Sequence, residues 1–195
     1  MQIGAILMAS GTAARFGSNK LLFPVDGVPL FRRSFAACPP HLFAKAAVVS
    51  CYEEILAAAE AAGYLPVFNP YFAVGQSASI RLGLNALGDL DGYFFAVCDQ
   101  PYLTVQTVGN LLTAHQGAPS GTITALAYSG RRGNPVIFDG CYRSELLALT
   151  GDIGGKTVIA AHQDRLLLVD AGQAQELFDF DRLEDAQTID SAGKL

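Results

Sequence analysis

Ile3-Gly-Ala-Ile-Leu-Met-Ala-Ser-Gly-Thr-Ala-Ala-Arg-Phe-Gly-Ser-Asn-Lys20-Leu-Leu22 is the stretch on which the reading of the fold turns. An apolar run of strand length, Ile3 to Ala9, empties into a loop carrying Gly11, Gly17, hydroxyls, Arg15 and Lys20. A nucleoside triphosphate needs such a loop at the end of a buried strand. Gly11 lets the backbone approach an anion closely, and Gly17 frees the turn before Lys20. The loop reads as a phosphate cradle, with Ala9, Ser10, Gly11, Arg15 and Lys20 as its candidate contacts and its two cations expected to be exposed in the free chain.

Neither common phosphate-loop pattern fits. A Walker loop needs Gly, four residues, then Gly-Lys-Ser/Thr, and a dinucleotide fingerprint needs Gly-x-Gly-x-x-Gly; here Lys20 follows Gly17 at a distance of three. What matches is Leu-x-Ala-x-Gly-x-x-x-Arg-Phe-Gly-x-x-Lys-Leu. It resembles the signature of the nucleotidyltransferases related to the molybdenum cofactor cytidylyl- and guanylyltransferases.

Outside that stretch, composition narrows the class. The 195 residues have the size of one domain, are 51% hydrophobic and only 16% charged, and carry a net charge of −5. One core is expected. There is no electrostatic footprint for a phosphodiester backbone, so nucleic acid is not an expected partner. No apolar run approaches the length that spans a bilayer, and no basic region precedes the first one, which predicts a protein with no membrane partner, cytoplasmic and unexported. Cys38, Cys51, Cys98 and Cys141 stand far apart without a C-x-x-C pair and read as buried thiols in a reducing cytosol.

Along the chain, a helix is expected from about Leu30 to Cys38, ended by Pro39-Pro40, then a strand over Ala44–Cys51, a helix over Tyr52–Ala62 and a strand over Tyr64–Phe68. That β-α-β-α-β order opens a doubly wound sheet. Asn69-Pro70 breaks the pattern, and Gly75-Gln76-Ser77-Ala78-Ser79-Ile80 starts a helix whose serines are candidates for its N-cap. Gly92–Cys98 is the most strand-like run and ends at Asp99-Gln100-Pro101. A carboxylate at the carboxyl end of a central strand lies where α/β sheets bind ligands, so Asp99 is the leading Mg²⁺ ligand; the alternative is a cap for the helix beginning near Thr104. Later elements are a strand over Gly121–Tyr128, a turn over Gly130–Pro135, a short strand over Val136–Phe138, a helix over Tyr142–Leu149 and a strand over Arg165–Asp170. Gly151-Asp-Ile-Gly-Gly155-Lys156-Thr157 nearly spells a Walker loop, but a helix precedes it where a strand is required. His41, His115 and His162 match no motif.

The resemblance runs from Gly4 to Asp185 through separate motifs in the right order. It implies a three-layer α/β/α, Rossmann-like, mostly parallel sheet of the nucleotide-diphospho-sugar transferase type, with residues 1–195 forming a single nucleotidyltransferase domain. The Asn69-Pro70 and Ser77-x-Ser79 order is similar to the family segment that holds base and ribose, which adds Gln76, Ser77 and Ser79 to the nucleotide contacts. The Gly133-Asn134-Pro135-Val136 and Gly151–Lys156 segments are similar to those facing the second substrate, which makes Asn134, Gly154, Gly155 and Lys156 acceptor contacts. Asp181, in Asp179-Phe-Asp181-Arg182-Leu-Glu-Asp185, matches the second metal ligand, although Arg182 stands where threonine is usual and Asp179 lies on the same side of an extended segment.

The reaction implied is transfer of a nucleotidyl group from a triphosphate to the phosphate of molybdopterin, with Mg²⁺ held by Asp99 and Asp181, and with molybdoenzymes or their chaperones as protein partners. The residue other than glycine at Ser10, Phe16, the Asn69-Pro70 segment and the Gly133-Asn134-Pro135 turn resemble the cytidylyl-transferring members more than the guanylyl-transferring ones, which implies CTP over GTP. Guanylyl transfer, another small phosphate acceptor, a non-catalytic nucleotide sensor and a flavodoxin-like module stay open.

Overall fold

The structure is a computed structural model that describes residues 1–11 and 19–180. Its centre is a seven-stranded sheet built from β1 (Ile3–Met8), β2 (Lys45–Ser50), β3 (Leu65–Phe68), β4 (Gly92–Val97), β5 (Ile123–Tyr128), β6 (Arg131–Asp139) and β7 (Leu166–Asp170). In space the order is β3-β2-β1-β4-β6-β5-β7, with every pairing parallel except those made by β6.

Strand patterning explains the layers. In β1, Ile3, Ala5 and Leu7 point to one face and Ile6 to the other, and all are buried, as expected of a parallel strand covered on both sides. The first face is packed by α1 (Leu30–Ala37), α2 (Glu53–Ala61) and α4 (Val105–Gln116) through Phe31, Ile55, Val108 and Leu111. The second is packed by α3 (Gln76–Leu87), α5 (Arg143–Leu147) and α6 (Lys156–Ala161) through Ile80, Leu84, Leu146 and Ile159. The result is the three-layer α/β/α arrangement with a mostly parallel sheet.

On the second face α3 approaches β1 closely because Gly83 has no side chain. A Cβ there would stand 2.5 Å from Ile6 Cγ2.

One expected segment folds differently. The turn over Gly130–Pro135 is confined to Ser129-Gly130, both with positive φ (49° and 77°), and β6 begins at once at Arg131. Hydrogen bonding to β5, in the register Tyr128↔Arg131 and Ala127↔Arg132, outweighs the local turn propensity of Gly133, Asn134 and Pro135. A register shift between Ala125 and Ala127 accommodates the extra length. The short helices also begin and end within a few residues of their expected limits, with Thr104 as the N-cap of α4.

The chain leaves β1, lays down β2 and β3 on one side, and returns to place β4 on the other. The carboxyl ends of β1 and β4 therefore flank the switch point, where an open sheet leaves a crevice. Phe180 anchors the end of the described chain there: it is buried against Val25 and Leu30, stacks on Phe23, and its N–H donates to the Asp99 carbonyl at 2.9 Å.

Candidate active site

The loop after β1 is tied to the end of β2. Ala9 N–H donates to the Val49 carbonyl at 2.8 Å, Ser50 Oγ donates to the Ala9 carbonyl at 2.8 Å, and Ser10 Oγ donates to the Val49 carbonyl at 3.2 Å. Tyr52 completes the attachment by donating its hydroxyl to the Gly11 carbonyl at 3.2 Å. These bonds turn Gly11 out over a cleft of about 240 Å³ lined by Met8, Ser10, Gly11, Lys20, Gln76, Ser79, Asp99 and Asp152.

Lys20 opens a short helical turn capped by Asn19, and its ammonium lies 2.7 Å from Asp99 Oδ2. It is not the exposed loop cation that the sequence suggests: its side chain is 13% exposed and that of Asp99 20%. Asp99 caps no helix, since Thr104 takes that position on α4. Its Oδ1 is buried and has no hydrogen-bond partner among the described residues. A carboxylate that already holds a cation on one oxygen and keeps the other unbonded suits a hard divalent metal ion. Among the described residues no group of three or more His, Cys, Asp or Glu side chains is gathered that could hold one, so Asp99 stands there as a single carboxylate rather than in such a group. Arg15 and Asp181, and with them Phe16 and Arg182, lie outside the described residues.

The serines of α3 have separate roles. The helix is capped by Gly75 rather than by either serine. Ser79 lines the cleft and accepts from Asn69 Nδ2 at 3.1 Å, while the same amide reaches Ser10 Oγ at 3.3 Å. Asn69 is fully buried, and its Oδ1 accepts from Tyr71 N–H at 2.9 Å, so one side chain joins the loop, α3 and the segment between them. Ser77, expected among the nucleotide contacts, is instead buried with its hydroxyl donated to the Gly151 carbonyl at 2.7 Å. Ala9 is buried too, with both backbone polar groups engaged as above, and it supports the loop rather than lining the cleft.

A second cleft of about 310 Å³ adjoins the first. Arg132, Asn134, Gly155, Lys156 and Asp179 supply its polar rim and Phe95, Val136 and Phe138 its apolar floor, so three of the four expected acceptor contacts come together. The fourth, Gly154, presses on Gln76, where a Cβ would collide with the Gln76 amide. Met8, Gln76 and Val97 line both clefts and form their common wall. Asp179 Oδ1 accepts from Gln100 Nε2 at 2.9 Å, which sets this carboxylate on the second cleft.

Two residues of the site, Asp152 and Arg132, are given no role by the sequence, and Asn69 is marked there only as part of a motif. Asp152 lies within the Gly151-Asp-Ile-Gly-Gly155 motif, the one signal that could have found it. Arg132 lies in the segment expected to be a turn, next to Arg131, and nothing local distinguishes it from a solvated cation. Asp179, the alternative to Asp181 as second metal ligand, lines the second cleft.

Two clefts sharing a wall suit a reaction in which a group passes from one bound molecule to another, and comparison with known proteins gives that class as the nucleotidyltransferases. The chain belongs to the MobA-like NTP transferase domain family, which matches residues 5–166. Among curated relatives it is 27% identical to the nicotine blue oxidoreductase of Paenarthrobacter nicotinovorans, over 93% of both proteins. It is 30% identical to the bifunctional enzyme IspD/IspF of Granulibacter bethesdensis over 91% of this chain, and spans 50% of that relative's length.

Solved structures share the fold. A nucleotidyl transferase from Methanothermobacter thermautotroptrophicus superposes with a TM-score of 0.81 at 23% identity, over 98% of this chain and 97% of its own. Rv0371C of Mycobacterium tuberculosis H37Rv in complex with manganese gives 0.75 at 20% identity, over 97% and 98%. Molybdopterin-guanine dinucleotide biosynthesis protein A of Archaeoglobus fulgidus gives 0.71 at 13% identity, over 98% and 100%. Among the described residues no helix is long and apolar enough to cross a membrane.

Proposed function

We propose that residues 1–195 act as one domain that transfers a cytidylyl group from CTP to the phosphate of molybdopterin. The observation that carries the reading is the shared wall of Met8, Gln76 and Val97 between a cleft holding Gly11, Lys20 and Asp99 and a cleft holding Asn134, Gly155 and Lys156. An acceptor in the second cleft is thereby aimed across the wall at a triphosphate in the first.

A phosphate oxygen of the acceptor attacks the α-phosphorus, a new P–O bond forms, the bond to the bridging oxygen breaks, and pyrophosphate carries the electron pair away. No protein nucleophile is required; alignment and neutralisation of charge are. Lys20, Arg15 and the Gly11 amide hold the β- and γ-phosphates. Asp99 and Asp181 would hold a Mg²⁺, which would supply positive charge to offset that developing on the phosphates. Ser79 and Gln76 face the base and ribose. Arg132, Asn134, Gly155 and Lys156 grip the anionic end of the acceptor, and Phe95 and Phe138 offer an apolar floor to its ring system. The fold-level likeness to a molybdopterin-guanine dinucleotide biosynthesis protein and to a manganese-bound neighbour supports the acceptor and metal classes.

The test is pyrophosphate release from each of the four ribonucleoside triphosphates, with Mg²⁺ and molybdopterin. CTP is expected to be preferred over GTP by at least about tenfold, which corresponds to about 1.4 kcal/mol. Equal use, or preference for GTP, moves the assignment to guanylyl transfer. Release with another small phosphate alone moves the acceptor, and release with none makes the chain a nucleotide-binding accessory protein or an oxidoreductase like the relative from Paenarthrobacter.

A further inference from the structure

The loop that supplies acceptor contacts is fastened to the first turn of the helix that supplies nucleotide contacts. Asp152 Oδ1 accepts from the Gln76 N–H at 3.2 Å, one of the N–H groups that a helix start leaves without an internal partner. Ser77 Oγ donates to the Gly151 carbonyl at 2.7 Å. Gly75, at φ 110°, lies so close to Asp152 that a Cβ would be 2.5 Å from the Asp152 Cα. Gly154 in turn packs on the Gln76 side chain, which lines both clefts. Four contacts thus join residues 151–154 to residues 75–77, and immediately beyond this loop Gly155 and Lys156 line the acceptor cleft and begin α6.

We infer that Asp152 is a positioning residue that couples the two clefts: ordering Gln76 around a nucleotide orders the 151–156 loop around the acceptor. The inference rests on the assignment of the first cleft to a nucleoside triphosphate. Asp152 is exposed and its role is exerted through the Gln76 amide, so its removal leaves the core untouched. The coupling is reciprocal, because whichever ligand orders the clamp first spares the other that cost.

Amide hydrogen exchange reads the coupling in the free and the nucleotide-bound protein. In the free protein, Asp152→Ala is expected to speed exchange at Gln76 and at 156–160 by at least about fivefold, while Asp152→Asn, which keeps an acceptor oxygen, changes it by less than about twofold. CTP or GTP with Mg²⁺ should slow exchange at 156–160, which lies outside the nucleotide cleft, in the parent and in Asp152→Asn but not in Asp152→Ala. Unchanged exchange at 156–160 in free Asp152→Ala would overturn the inference, as would nucleotide protection of α6 that survives this substitution. If neither nucleotide slows exchange at 5–11, the nucleotide assignment fails, and the free-protein comparison still decides the clamp.

Discussion

Lys20 Nζ and Asp99 Oδ2 stand 2.7 Å apart across the switch point, joining the loop after β1 to the end of β4. The cation assigned to phosphate and the carboxylate assigned to metal neutralise one another before either has a ligand. In the proposed reading, binding of a metal–triphosphate complex would exchange the Lys20–Asp99 pair for two others, ammonium with phosphate and carboxylate with metal. The charges are already at the crevice, so little reorganisation is needed.

Lys20→Ala is expected to weaken triphosphate binding by at least about tenfold, about 1.4 kcal/mol, in titration calorimetry. It also leaves Asp99 without its partner in a half-buried position, costing about 1–2 kcal/mol in urea unfolding, between the values for exposed and fully buried pairs. Binding equal to the parent's would remove the loop from the triphosphate site.

Asp99→Asn should lower pyrophosphate release by at least about 100-fold and abolish Mn²⁺ binding measured by electron paramagnetic resonance, while nucleotide affinity changes little. A variant that still binds Mn²⁺ as the parent does would place the metal elsewhere. The same pair of measurements on Asp179→Asn and Asp181→Asn decides which acidic residue is the second ligand.

Asn69→Ala removes a buried amide that serves Ser10, Ser79 and the Tyr71 N–H together. The loss is expected to be about 1–3 kcal/mol in denaturant unfolding, because the partners are left without hydrogen bonds in a dry place. Nucleotide affinity should fall as well, since the loop and α3 lose their common tie. A variant as stable as the parent would show that water replaces the amide.

His115 introduces a pH dependence. Burial lowers its pKa below 6.5, with Asp139 opposing the shift, and its Nδ1 lies 2.8 Å from Thr124 Oγ1. The unfolded chain therefore binds a proton at a pH where the folded chain does not, so stability is full above about pH 6.5 and falls as pH drops below it. Urea midpoints at pH 5 and pH 7 are expected to differ more for the parent than for His115→Gln.

Much of this molecule was legible from local pattern. Apolar runs of strand length marked β1, as Ile3–Ala9 before Ser10-Gly11, and β4, as Gly92–Cys98 before Asp99, because a strand buried on both faces has few alternatives to such a run. The loop glycines and Lys20 suggested a phosphate cradle for a similarly local reason. The 130–135 segment was misread for want of non-local information: its Gly, Asn and Pro favour a turn, and only pairing with β5 makes it a strand.

By itself, then, the sequence determined the alternating strand and helix order and the carboxylate at the end of β4, which follow from hydrophobic period and short spacings, while the family followed from the resemblance of its motifs. Tertiary structure alone decided which polar side chains are free to act. Ser77 and Ser79 are two residues apart and chemically identical, yet one is committed to Gly151 and the other faces the cleft. Asn69, Asp152 and Lys20 acquired their roles from partners at positions 10, 76 and 99. Hydrogen bonds between distant residues depend on where the sheet and its covering helices bring chain segments together, and no local pattern records that.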